Sequence, residues 1–280
     1  MYLWKAWHDC RARIALYILA AVSIGVLCGL EALTWANFHD AYLMLHPHRH
    51  SRVTAPFYNY DFRMNITFYM LREVALGYFG RWASSFFLLP WDFLGYGPFF
   101  LLLTGLSLGA SSVGREVGAS TMNFVLTRPC PRRNFILTDW TVGLTGMVVI
   151  LSGLAFPVLP FLHAIHAKGP EIVLAGLPPL WVLGAAVYGL AHFTTLVTGS
   201  AARGLTLSVA ALLTYGLLPG ALNEWWHIDA LLKAVDWTLR PLGYDAWPLS
   251  PFDWSATAFW LAVSAGFLGA SIAWIRRREV

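Results

Sequence analysis

At 280 residues the chain has the length of one large or two modest soluble domains, yet 58% of it is apolar and only 12% is charged. A mean hydropathy of +0.58 and 14 Trp, 18 Phe and 11 Tyr give it more apolar surface than a water-soluble fold of this size can hide. The same figures exclude a disordered chain, a collagen-like repeat and, with three Cys, a disulfide scaffold.

In chain order, Lys5, Arg11 and Arg13 precede a charge-free run over 14–30 that continues through Glu31 to Trp35. A secretory signal opens the same way. Here bulky Leu33 and Trp35 prolong the run and no small-x-small cleavage site follows, so 14–35 reads as a signal-anchor span. Residues 36–92 are too long for a plain connection. Within them His39, His46, His48 and His50 allow two readings, a metal-binding loop or a solvated, mildly basic loop broken by Pro47. The aromatic-rich stretch 65–89 has Arg72, Glu73 and Arg81 scattered around the helical wheel and reads as one or two helices lying at the outer membrane surface.

Charge-free runs then follow at 93–114, 140–167, 172–202, 205–223 and 254–275. A helix needs about 20 apolar residues to cross a hydrocarbon core of ~30 Å. The expected fold is therefore an all-α integral membrane protein, a single transmembrane domain over 1–280. Its spans are expected near 14–35, 93–113, 140–163, 177–198, 204–223 and 254–275. The segments of about 10 alternating residues that build a β-barrel do not occur. The last outer loop, 224–253, holds Glu224, Asp229, Asp236, Asp245 and Asp253 with three prolines, and is expected to fold into short helices and turns that cap the outer mouth.

Basic residues orient the spans. With both termini cytoplasmic, the inner segments carry eleven Lys and Arg against Asp9, Glu116, Asp139 and Glu279, a net +7. The outer segments carry eight basic and eleven acidic residues, a net −3, and together these make the chain's +4. Trp7, Trp35, Trp91, Trp140, Trp254 and Trp274 fall near span ends, where an indole prefers to lie. The basic balance therefore reflects topology, and no nucleic-acid partner is expected. Cys10 and Cys130 fall on the inner side and Cys28 within a span, which fits a chain without disulfides.

No catalytic or metal constellation stands out. G-x-x-x-x-G-K-[ST] and H-E-x-x-H are both missing. His163 and His166 read as interfacial residues. His192, the one ionisable side chain expected at depth, reads as a satisfied polar residue between helices rather than a proton relay.

The informative stretch is the inner connection at 112–139. Val113, Val117, Thr121, Phe124 and Val125 recur at i, i+4, i+8, i+11 and i+12, while Arg115, Glu116 and Asn123 face elsewhere. Pro129 and Pro131 stop the helix, because a residue before proline is pushed out of the α region. The spacing predicts an amphipathic helix over 112–128 on the inner membrane surface, followed by a basic elbow.

This segment resembles the signature of the type-2 ABC transporter permease family: a Glu ahead of Gly-Thr, an apolar stretch to Leu, then Pro-x-Ser-Arg. Glu116, Thr121, Leu126, Pro129 and Arg132 hold the matching positions. Ser120 stands where the family usually has Gly, Pro131 where it often has Ser, and Asp139 where a basic residue is common. The resemblance implies an ABC-2 permease subunit, an exporter in the inner (plasma) membrane. It would pair with a second permease copy, as a homodimer in preference to a heterodimer, and work with two copies of a cytoplasmic ABC ATPase.

Under that resemblance the chain binds no cofactor itself, ATP and Mg belong to the partner ATPase, and the chain is not an enzyme. Arg115, Glu116, Ser120, Thr121, Leu126, Pro129, Arg132 and Arg133 would form the coupling interface, with Val117, Phe124 and Val125 packing beneath the helix. Gly25 and Gly29, at small-xxx-small spacing, allow close helix approach, and a dimer is expected. The alternative is a membrane anchor or assembly subunit that moves nothing, with an integral membrane enzyme as a third reading.

Overall fold

The computed structural model describes residues 2–45, 93–118, 132–164, 169–226, 229–239 and 254–277. Among them every element is helical: α1 (Tyr2–Leu45), α2 (Phe93–Gly118), α3 (Arg132–Ala155), α4 (Val158–Ala164), α5 (Gly169–Thr198), α6 (Ala201–Trp226), α7 (Asp229–Leu239) and α8 (Trp254–Arg277). Four apolar stretches are long enough to cross a membrane, at Cys10–Leu27, Arg133–Phe161, Leu177–Thr198 and Trp254–Arg277, and α2 contributes a shorter one at Phe100–Gly114. The chain is thus all-helical over its described residues and carries the helices of a membrane-embedded protein. The histidines at 46, 48 and 50 and the stretch 65–89 lie outside the described residues, while His39 falls within α1.

Helix ends follow local chemistry. Between α3 and α4, Pro157 offers no N–H, and its ring would clash with the carbonyl one turn back. The Phe156 N–H still reaches the Ser152 carbonyl at 2.9 Å, and the Leu159 N–H turns back to the Phe156 carbonyl at 3.3 Å. Pro178 and Pro179 lie inside α5, so the carbonyls of Leu174 and Ala175 lack their usual i+4 donors. Between α5 and α6 the chain reverses in two residues, Gly199 and Ser200. Gly199 has φ 67°, a left-handed conformation in which a side chain costs roughly 1–2 kcal/mol.

The chain forms two compact units. One comprises Leu19–Phe99 and Ser152–Gly176. In it Gly25 lies against the backbone of Leu154 and the Pro157 ring, and Gly29 against the Phe161 ring. The small-xxx-small face of α1 is therefore packed against α3 and α4 of the same chain.

The other unit comprises Met1–Ile18, Phe100–Leu151 and Leu177–Val280. Its centre is α5, which meets its neighbours through small residues, as membrane helices do when packing rather than water exclusion holds them. A Cβ on Gly105 of α2 would sit 3.1 Å from the Gly184 carbonyl of α5, and one on Gly109 would sit 3.0 Å from the Ala191 Cβ. From α3, the Trp140 ring lies over Gly189, which also meets Phe267 of α8. Toward α6 the link is polar: the Thr194 and Ser208 hydroxyls are 2.7 Å apart, and the Ser208 hydroxyl donates to the Gly204 carbonyl at 2.8 Å.

Beyond α6, α7 (Asp229–Leu239) packs against α6 and α8. Thr238 anchors it. Its hydroxyl pairs with that of Tyr215, and its carbonyl accepts from the Trp260 indole at 2.6 Å, while the Trp237 indole donates to the Ser255 hydroxyl at 3.1 Å.

Candidate functional site

The residues expected to couple to a partner lie at one junction of the chain. Arg115, Glu116 and Val117 belong to the last turn of α2, which runs unbroken from Phe93 to Gly118. Residues 112–118 are thus a continuation of the apolar helix rather than the start of a separate one. Ser120, Thr121, Phe124, Val125, Leu126 and Pro129 lie outside the described residues. Arg132 and Arg133 open α3, and the Arg133 side chain is exposed.

What precedes this junction is tightly held. Val113 is fully buried and Ser112 nearly so, and the Ser112 hydroxyl donates to the Gly109 carbonyl at 3.0 Å. Gly114 lies directly against Ala201, the first residue of α6, whose Cα would be 3.2 Å from an added Cβ. The C-terminal part of α2 therefore presses on the start of α6, with only the Ala201 methyl between the two backbones.

A second constellation lies seven residues into α3. Asp139 and His192 are buried, and their Oδ2 and Nε2 atoms are 3.8 Å apart. Asp139 is the only acid and His192 the only histidine among the described buried side chains. Tyr188, one helical turn before His192 and so on the same face of α5, donates its hydroxyl to the Asp139 backbone carbonyl at 3.1 Å. Trp140 stands edge-on to both rings, with centroids 5.4 Å from Tyr188 and 5.9 Å from His192. On the far side of the imidazole, Nδ1 faces the Ser271 hydroxyl of α8 at 3.4 Å. Three helices thus contribute polar groups to one buried cluster.

The cluster is not fully satisfied. Asp139 Oδ2, Trp140 Nε1 and His192 Nε2 are buried and have no hydrogen-bond partner among the protein atoms. At 3.8 Å the carboxylate–imidazole contact is beyond hydrogen-bond range. In a low-dielectric interior an unpaired polar atom is costly. Among the described residues no group of three or more His, Cys, Asp and Glu is placed to hold a metal.

Sequence reasoning found His192 but not its neighbour. Asp139 counts as an inner surface charge when spans are delimited by charged residues, which starts the third span at Trp140. The signal that places it inside is periodicity: Ile136, Asp139, Trp140, Gly143, Met147, Ile150 and Leu154 recur every three or four residues, and all are buried.

No protein-family model matches the chain, and no curated protein or solved structure is found to be similar to it.

Proposed function

We propose that this chain is the membrane-spanning subunit of an ATP-driven ABC-type transporter, an exporter in the plasma membrane with six spans and both termini cytoplasmic. Two copies of a soluble ATPase would grip the connection at 112–128, and a second copy of this chain would complete the translocation path. The observation that carries this reading is the setting of residues 119–131, which bear most of the family-like motif. They leave α2 just after the Gly114–Ala201 contact and enter α3 seven residues before the buried Asp139. A displacement of this connection would load the inner end of α2, the α5–α6 turn and the buried cluster together.

In this reading Glu116 and Arg132 anchor the ATPase, Pro129 fixes the elbow, and Val117, Phe124 and Val125 pack beneath the helix. ATP and Mg act on the partner. Scarce intramembrane charge suits an apolar or lipid-like cargo.

The test pairs an association measurement with a melting curve. Glu116→Lys places a like charge at the proposed contact, where such juxtaposition costs several kcal/mol. ATPase association is expected to weaken by about 100-fold, equivalent to ~2.8 kcal/mol at 1.4 kcal/mol per tenfold, with the melting temperature unchanged. Parent-like association in Glu116→Lys, and in a triple variant with Arg115 and Arg132 also reversed, would leave the segment as a plain membrane-surface element and remove the transporter reading.

A further inference from the structure

The buried cluster has a geometric peculiarity. Asp139 Oδ2 and His192 Nε2 lie 3.8 Å apart, and neither has a hydrogen-bond partner in the protein. That spacing is too long for a direct hydrogen bond, whose N···O distance is about 2.7–3.2 Å. Yet it is short enough for a single oxygen to lie about 2.8 Å from both atoms. A polar contact beyond about 3.5 Å raises the question of a water between the groups, and a buried water needs 2–4 polar partners to be held. The cluster supplies two from the pair, and the Trp140 indole N–H is another buried group without a partner. A cation is a poorer occupant, because one carboxylate and one imidazole fall short of the ligands a metal takes.

We propose that Asp139 and His192 form a binding site for one buried water molecule. The bound water donates to the Asp139 carboxylate and pairs with His192 Nε2. The imidazole meets the Ser271 hydroxyl through Nδ1, at 3.4 Å. A polar chain then runs from α3 through the water and His192 in α5 to Ser271 in α8, and it joins three helices by directional contacts at a level where the surrounding contacts are close-packed.

Such a link differs in kind from the glycine seams beside it. A backbone-to-backbone contact cannot slide without a clash, whereas a water can exchange partners as helices shift. The site is thus a hydrated joint between α3, α5 and α8. Its existence is a property of this chain alone. Only its use, as the first polar tie met by a displacement entering at 119–131, rests on the transporter reading.

The experiment uses the full-length chain in lipid nanodiscs, without any ATPase. A structure that resolves ordered water elsewhere in the same helices is expected to show a water peak within hydrogen-bond distance of both Asp139 Oδ2 and His192 Nε2. A direct Asp139–His192 contact without such a peak would overturn the proposal.

Melting of variants supplies a second readout. Asp139→Asn keeps a group that can bind the water but removes the charge, and it should melt close to the parent. Asp139→Leu removes both, and it should melt lower by about 5 °C or more. If Asp139→Asn falls as far as Asp139→Leu, the pair is a direct charge contact and the water site is wrong. His192→Gln and His192→Phe make the same comparison from the other side, so one misfolding variant does not decide the outcome. Because neither readout involves a partner, failure here is distinct from failure of the ATPase association above.

Discussion

Helices α5 and α8 look alike as strings of residues. Each supplies an apolar stretch of similar length, 22 residues at Leu177–Thr198 and 24 at Trp254–Arg277, and each is rich in Gly and Ala. Their surroundings differ sharply, with 78% of the first and 22% of the second buried. In α5, every residue from Val182 to Gly189 is buried, and Gly184 and Gly189 receive side chains from α2, α3 and α8. In α8, only a stripe of Ala256, Thr257, Trp260, Ser264, Ser271 and Ile275 is buried, while Gly266 and Gly269 have nothing within 4 Å. Apolar length identifies a helix fit for a membrane. It does not say whether that helix faces protein or lipid, because both surroundings accept the same residues.

The contrast is sharpest at single glycines. Gly109→Ala would drive a Cβ into the Tyr188 carbonyl and to within 3.1 Å of the His192 nitrogen. Because backbone cannot yield as a side-chain tip does, a loss of about 3 kcal/mol or outright failure to fold is expected, read by thermal or denaturant unfolding in detergent.

How far such differences were legible in the sequence depends on the signal used. The charge-free run 172–202 overlaps α5 (Gly169–Thr198), and the run 254–275 overlaps α8 (Trp254–Arg277). The same rule misplaced the start of α3. It treats any charged residue as an end, but Asp139 is carried inside by its phase with Ile136 and Gly143 and by its neighbours on α5. Its pairing with His192 is a long-range contact that no local pattern encodes. Gly25 and Gly29 were legible as a close-approach seam, yet small-xxx-small spacing cannot say whether the partner is another copy or, as here, the chain's own α3 and α4.

Smaller effects sharpen the comparison further. Gly199→Ala would place a side chain at φ 67° and should cost about 1–2 kcal/mol, measured in the same unfolding assay. Tyr188→Phe removes one buried donor and leaves the Asp139 carbonyl short of it, so a loss of about 1 kcal/mol is expected. At the far end, Gly269→Ala in α8 meets open space and should shift stability by no more than about 0.5 kcal/mol. Equal losses in Gly269→Ala and Gly109→Ala would break the distinction between the two helices.

The two-residue reversal at Gly199–Ser200 also governs how the chain can be assembled. Two residues span at most about 7 Å, so once α5 and α6 have formed they cannot be delivered to the bilayer separately. They must arrive as a hairpin, with Thr194 and Ser208 already in reach of each other. The helix that carries His192 and two interior prolines is therefore escorted by its successor from the moment both exist. A lengthened connector, for instance a flexible insertion after Gly199, would free α5 to enter alone, and the cost would appear as lower yield of inserted protein rather than as a weaker finished fold.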